Sequence, residues 1–204
     1  MRDKRKEPLR LEGKTVILEE IAPKYFPYVI EWRNNPEMNK YLNQPFVLTE
    51  EKERDWYENV YLNDDTQGLM ILIDRETKTP FGTSGWTHLD LGKRQCIQGR
   101  LLVGNLNFRE SLPFLESGFV LSDYLYTIVD VVYGHIVNGN RKAFGLNRRT
   151  GFQENRTNIQ YSEECQVNGM ELTEFFRTEA MYRVARNKMS RFFPEIFPEK
   201  TSTI

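Results

Sequence analysis

Residues 101 to 152 constrain the fold of this chain more than any other stretch. An apolar strand ending in Gly104-Asn105 runs into a polar loop around Arg109, which opens a helix of apolar and aromatic residues. A second apolar strand, Ile128 to Val137, leads through Asn140 into a short basic helix that stops at Gly151-Phe152. A strand, a turn that aims N–H groups outward at a helix start, and a second strand nearby form a common anion-holding arrangement, suited to a pyrophosphate.

Bulk properties narrow the possibilities. At 204 residues the chain is expected to fold as one domain around a sizeable core. Hydrophobic residues make up 39% and charged residues 28%, a balance typical of folded soluble proteins. The net charge of −1 lacks the basic field of nucleic-acid binders. No apolar run is long enough to span a bilayer. The charged start, Met1 to Glu7, has no apolar segment behind it, so no secretory leader is expected. Cys96 and Cys165 have no metal-ligand spacing and are too few for a disulfide framework, so no metal and a reduced, cytoplasmic setting are expected.

Taken in order, residues 1–12 read as a flexible charged terminus. Lys14 to Ile21 alternates as a strand. Pro23 opens a helix whose apolar residues Tyr25, Tyr28, Val29 and Trp32 recur at helical spacing, and Asn34-Asn35-Pro36 interrupts it. Thr49 caps a second helix through Tyr57. Strands follow at Gly68–Asp74, Pro80–Thr87 and Gln95–Gly104, the last two joined by a hairpin turn at Leu91 to Arg94. The glycines between Pro80 and Gly85 permit close backbone approach. Beyond residue 152, a turn at Asn168-Gly169 and a strand from about Met170 complete a hairpin. Residues 187–204 read as an appended tail, leaving 13–186 as the domain. The expected fold is α/β: a single mixed, mostly antiparallel central sheet flanked by helices.

Four pieces of this order, Trp32-Arg33-Asn34 with Pro36-Glu37, Pro80 to Gly85, Gln98 to Asn105, and Asn140 to Ala143 leading to Gly151-Phe152, resemble the GNAT N-acetyltransferase superfamily. The nearest branch contains ribosomal-protein and amino-sugar N-acetyltransferases, and the resemblance covers roughly residues 10 to 186. It implies the GNAT fold, acetyl-CoA as co-substrate, and direct attack by the amine of a small acceptor such as a nucleotide-linked amino sugar. The thioester would lie where the strands at 97–104 and 128–137 splay apart. Backbone N–H groups near Leu102 and Val103 would then polarise its carbonyl. Arg109, Ser111 and Asn140 would contribute to donor binding.

Two features depart from the superfamily pattern. Its pyrophosphate loop, Arg/Gln-x-x-Gly-x-Gly/Ala, falls on Arg109 to Phe114, where Leu112 and Phe114 replace both small residues and Pro113 lacks an N–H. A tyrosine that protonates the leaving thiolate is replaced by Asn147, whose amide can hydrogen-bond a thiolate but not protonate it. These changes leave three readings open: an acyl-CoA enzyme, an enzyme fed by a carrier protein, and a non-catalytic binding module.

Individual candidates each carry a plain alternative. His88 is the candidate general base or a surface turn residue. His135 is a partner-satisfied core residue or a donor-site group. Arg33 borders the acceptor or caps its helix, and Trp86 stacks on the acceptor or fills the core. Asp90 and Glu31 are carboxylates without distinguishing spacing. Arg141, Lys142, Arg148 and Arg149 reach the donor or form a solvated basic face. Phe175, Arg177, Glu179 and Met181 would share one side of the last strand, and the tail aromatics, Phe192 and Phe193 among them, would cover a homodimer contact.

Overall fold

Val16, Leu18, Met70 and Leu72 are fully buried on one face of a sheet, while Ile17, Ile21, Leu69 and Ile71 are buried on the other. Burying each such side chain contributes roughly 1.5–3 kcal/mol, which is why these unbroken apolar runs form the centre. The computed structural model describes residues 4, 6–42, 44, 46–160 and 171–197. Its strands are β1 (Arg10–Glu12), β2 (Val16–Glu20), β3 (Gly68–Asp74), β4 (Pro80–Asp90), β5 (Gln95–Val103), β6 (Val131–Val137), β7 (Gln153–Gln160) and β8 (Glu171–Thr178). They form one eight-stranded sheet in the order β1-β2-β3-β4-β5-β6-β8-β7. Every neighbouring pair is antiparallel except β5 and β6, which are parallel.

Helices cover both faces. On one side α1 (Phe26–Asn34), the short α2 (Pro36–Asn39) and α3 (Glu50–Asp55), prolonged by a wider turn to Val60 and a tighter one to Asn63, bring Phe26, Val29 and Tyr61 onto the sheet. On the other, α4 (Leu112–Leu125), α5 (Arg141–Arg149) and α6 (Glu179–Phe192) pack Phe119, Leu121, Leu125 and Tyr182 against it. Glu116 of α4 is buried and accepts from the Lys14 and Thr15 N–H groups at 2.6 and 2.7 Å, tying that helix to the β1–β2 turn.

Four sequence expectations need correction. The N-terminal dozen is not loose throughout: Arg10–Glu12 pairs with Ile17–Glu19, and Glu20 accepts the Leu9 N–H at 2.7 Å. The strand placed at Ile128 begins at Val131, because the Ile128 and Val129 N–H groups still bond the last turn of α4. Glu179 and Met181 are helical rather than part of the last strand, since Thr178 accepts the Met181 N–H and caps α6. Residues 187–197 are no appended tail, because α6 runs through residue 186 unbroken and Phe197 is buried against Phe119, ring centroids 5.0 Å apart. Cys165 and the turn at Asn168-Gly169 lie outside the described residues.

Candidate functional site

The parallel pairing of β5 with β6 lasts only from Gln95↔Val131 to Ile97↔Tyr133. Beyond it β5 carries one residue more than β4 between the pairs Thr83↔Leu102 and Gly85↔Gly99. The bulge holds Arg100 at φ 54°, a left-handed conformation that is uncommon outside glycine. A bulge bends its strand, and here the bend accompanies the parting of β5 from β6. The opened wedge is a cavity of about 320 Å3, within the range of small-molecule sites.

Gln98 to Leu101 of β5 and Gly134 to Val137 of β6 form its two edges. Phe114, Leu115 and Gly118 of α4 and Ala143, Leu146 and Asn147 of α5 close it. The α5 helix starts where the Asn140 side chain accepts the Ala143 N–H at 3.3 Å. That start sets Asn147 over Gly134, where an added Cβ would come within 3.2 Å of the amide nitrogen.

At the base of the cleft lies Arg177, 2% exposed. It donates to the Tyr126 hydroxyl (3.1 Å), the Thr150 carbonyl (2.8 Å) and the Ser122 hydroxyl (2.6 Å). Burial lowers its pKa, and among the described residues no carboxylate pairs with it.

His135 also lines the cleft, exposed rather than packed in the core. Its Nε2 lies 2.9 Å from Glu174 Oε2. Burial alone would raise the Glu174 carboxyl, yet hydrogen bonds from Arg156, His135 and Asn155 hold it down at about 2. The ionised carboxylate therefore fixes the ring through one nitrogen and leaves Nδ1 as the second functional atom.

The start of α4 is almost fully occupied. Ser111 N–H bonds the Phe108 carbonyl at 3.2 Å, Phe114 N–H bonds Ser111 Oγ at 3.3 Å, and Leu115 N–H bonds the Ser111 carbonyl at 3.0 Å. Pro113 has no N–H, so Leu112 holds the one uncommitted amide of the first turn. Ser111 Oγ itself donates to Phe108 O at 2.8 Å. Arg109 is exposed beside this turn.

A second cavity of about 400 Å3 lies between the α1–α3 layer and the sheet. Arg33, Glu53, Trp56 and Leu102 line it, and Leu42 and Arg100 line both cavities.

Of the sequence candidates, Asn140 and Asn147 line the cleft and Arg33 lines the second cavity. Leu102 and Val103 are in register with Thr83 and Gly82 of β4, and the cleft backbone is Gln98–Leu101 instead. Trp86 is 3% exposed and lies over Gly68, so it is a core residue rather than an acceptor platform. His88 is exposed near the distal end of β4, alongside the paired base of the wedge, and lines neither cavity. Sequence reading missed Gln98, Ser122, Glu53 and the coupling of His135 to Glu174. A buried arginine or glutamate carries no local signal, because its burial comes from elements far apart in the chain.

No family model matches the chain, and no curated protein matches it. Solved structures do. The spermidine N-acetyltransferase of Vibrio cholerae, solved with CoA and spermine, superposes with a TM-score of 0.69 at 15% identity over 83% of this chain and 99% of that one. A GCN5-related N-acetyltransferase from Brucella melitensis gives 0.76 at 13% identity over 97% and 89%. A probable GNAT-family acetyltransferase from Chromobacterium violaceum gives 0.73 at 14% identity over 85% and 87%. At such identities the likeness assigns the fold, an α/β fold with one mixed sheet shared with these acetyltransferases.

Proposed function

We propose that the chain is an N-acyltransferase that moves an acetyl or other acyl group from acyl-CoA to the amine of a small acceptor. A nucleotide-linked amino sugar is one acceptor of this kind. The observation that carries the reading is the wedge between β5 and β6, an apolar cleft edged by strand backbone whose cleft side pairs with no strand among the described residues. Such backbone supplies fixed N–H dipoles to a thioester carbonyl whose oxygen gains charge as the amine adds. The Phe114, Leu115, Ala143 and Leu146 lining suits the uncharged pantetheine arm of the donor.

In this mechanism the neutral amine adds to the thioester carbon and the tetrahedral adduct collapses with loss of the thiolate. His135 Nδ1 takes the proton that the amine loses, with Glu174 steadying the ring through Nε2. Asn147 offers an amide hydrogen to the departing sulfur. Whether acetyl-CoA binds is read directly by calorimetry. Heat and a thermal upshift are expected, and neither at millimolar donor overturns the proposal.

The start of α4 favours a second reading of the donor. With one free N–H and no amide at Pro113, that turn does not fit the cradle a pyrophosphate needs. A carrier protein presents the same pantetheine arm without the nucleotide diphosphate, so a carrier-bound acyl group suits this turn better. Turnover from a carrier-bound donor and none from acetyl-CoA would establish it. A folded chain that binds neither donor would leave only a non-catalytic module.

A cytoplasmic location and a homodimer complete the proposal, with the exposed Val184 and Phe192 of α6 at the contact. A monomeric mass by light scattering at micromolar concentration removes the dimer.

A further inference from the structure

Glu53 is 1% exposed, yet its Oε1 has no hydrogen-bond partner among the described residues. Burying a carboxylate oxygen without a donor is unfavourable, and native structures seldom leave one so. This oxygen belongs to a residue that lines the second cavity, of about 400 Å3. Two arginines line the same space, Arg33 from the end of α1 and Arg100 from the β5 bulge. Each is close enough to influence Glu53 electrostatically, but neither is ion-paired with it among the described residues.

The two arginines differ in how they are held. Arg100 donates to Gln67 Oε1 and lies 5.7 Å from the centroid of the Trp56 ring, which fixes its guanidinium. The Arg33 guanidinium has no hydrogen-bond partner among the described residues. Burial lowers the pKa of both and raises that of Glu53, so all three groups are partly withdrawn from water. Lys52 and Asp55 also line the cavity and offset one another in charge.

We infer that this cavity binds an acceptor carrying an anionic group, carboxylate or phosphate, together with its amine. Arg33 takes the anion beside the fixed Arg100, because guanidinium donors match both anions in a planar fork. Glu53 Oε1 accepts a hydrogen bond from the amine. Arg100 and Leu42 border both cavities, so an acceptor held here lies next to the wedge. A polyamine, with no anion to offer, would meet three cationic side chains against two carboxylates. This inference rests on the acyl-transfer proposal for its reaction but not for its binding.

Calorimetry on the full chain without donor is the test, with glucosamine 6-phosphate against glucosamine and leucine against isoamylamine. At least one anion-bearing member is expected to bind ten-fold or more tightly than its neutral partner. Which pair responds tells phosphate from carboxylate. Arg33→Met should abolish that preference. Glu53→Gln should weaken the amine ligand while leaving its hydroxyl counterpart (glucose 6-phosphate or 2-hydroxyisocaproate) unchanged. Equal affinity within both pairs, or spermidine binding as tightly as the best of them, would overturn the inference, and wild-type protein alone decides both. Anion-selective binding without turnover from either acetyl-CoA or a carrier-bound donor would uphold the site and remove the reaction. Acetylation of spermidine without anion preference would do the reverse.

Discussion

Arg177 donates to the Ser122 hydroxyl at 2.6 Å, joining β8 to α4 beneath the cleft. The guanidinium is held by neutral acceptors and aromatic faces, with its carbon 4.1 Å from the Phe152 ring centroid. Arg177→Met keeps the length but removes donors from the Tyr126 hydroxyl, the Thr150 carbonyl and Ser122. The expected cost is about 2–4 kcal/mol, because buried partners are left unpaired. A fall in the urea midpoint at unchanged slope would show it.

Two glycines predict opposite outcomes for the same substitution. A Cβ on Gly104 would stand 2.0 Å from the Trp32 ring, which packs the end of α1 on the end of β5. Gly104→Ala should therefore destabilise by roughly 1–3 kcal/mol. Gly118 lies within α4 with nothing within 4 Å of an added Cβ. Gly118→Ala should stabilise by about 0.5–1 kcal/mol through helix propensity, while its methyl enters the cleft. Thermal melts of both variants check the pair.

Glu174 makes stability depend on acid pH. Its folded pKa is lowered from 4.5 to about 2: burial pushes it up, but hydrogen bonds from Arg156, His135 and Asn155 prevail. A depressed carboxylate stabilises the fold above the unfolded pKa, and that contribution disappears as pH falls from about 4.5 towards about 2. Glu174→Gln should flatten this limb, measured as a smaller loss of melting temperature between pH 6 and pH 3 than in the wild type.

If His135 takes the amine proton, His135→Ala should lower kcat by roughly 10²–10⁴-fold at neutral pH with little change in donor affinity. His88→Ala, altering an exposed residue outside the cleft, should leave kcat within two-fold. Initial rates on both variants distinguish the two histidines. Equal losses would return the base to the open question that the sequence left.

With a single uncommitted amide at the start of α4, the donor's nucleotide end should contribute little. Acetyl-CoA and acetyl-pantetheine are expected to bind within about ten-fold of each other, and Arg109→Ala should change either affinity by less than three-fold. Pro113→Ala returns an N–H to this turn and should favour acetyl-CoA selectively, read by calorimetry.

Much of this architecture was legible in advance. The apolar run from Gly68 to Asp74 could only be an interior strand, and Thr49 and Asn140 marked helix starts that they do cap. The glycines of β4 read as close-approach sites, and a Cβ at Gly85 would indeed fall 2.1 Å from the Gly68 carbonyl. The crowding at the start of α4 follows from Leu112, Pro113 and Phe114 themselves. Less was legible at residues 179–192, whose arginines and aromatics suit a strand or a helix equally until Thr178 caps the turn.

Local chemistry thus determined the elements and the crowded start of α4, since spacing, caps and the missing proline N–H are properties of neighbouring residues. Only the tertiary structure decided which side chains meet. It joined His135 to Glu174 across 39 positions and Arg177 to Ser122 across 55. It also brought Arg33 and Arg100 to the buried Glu53. Those encounters depend on strand order, on the bulge at Arg100 and on burial, and none of the three is written in any single stretch of the chain.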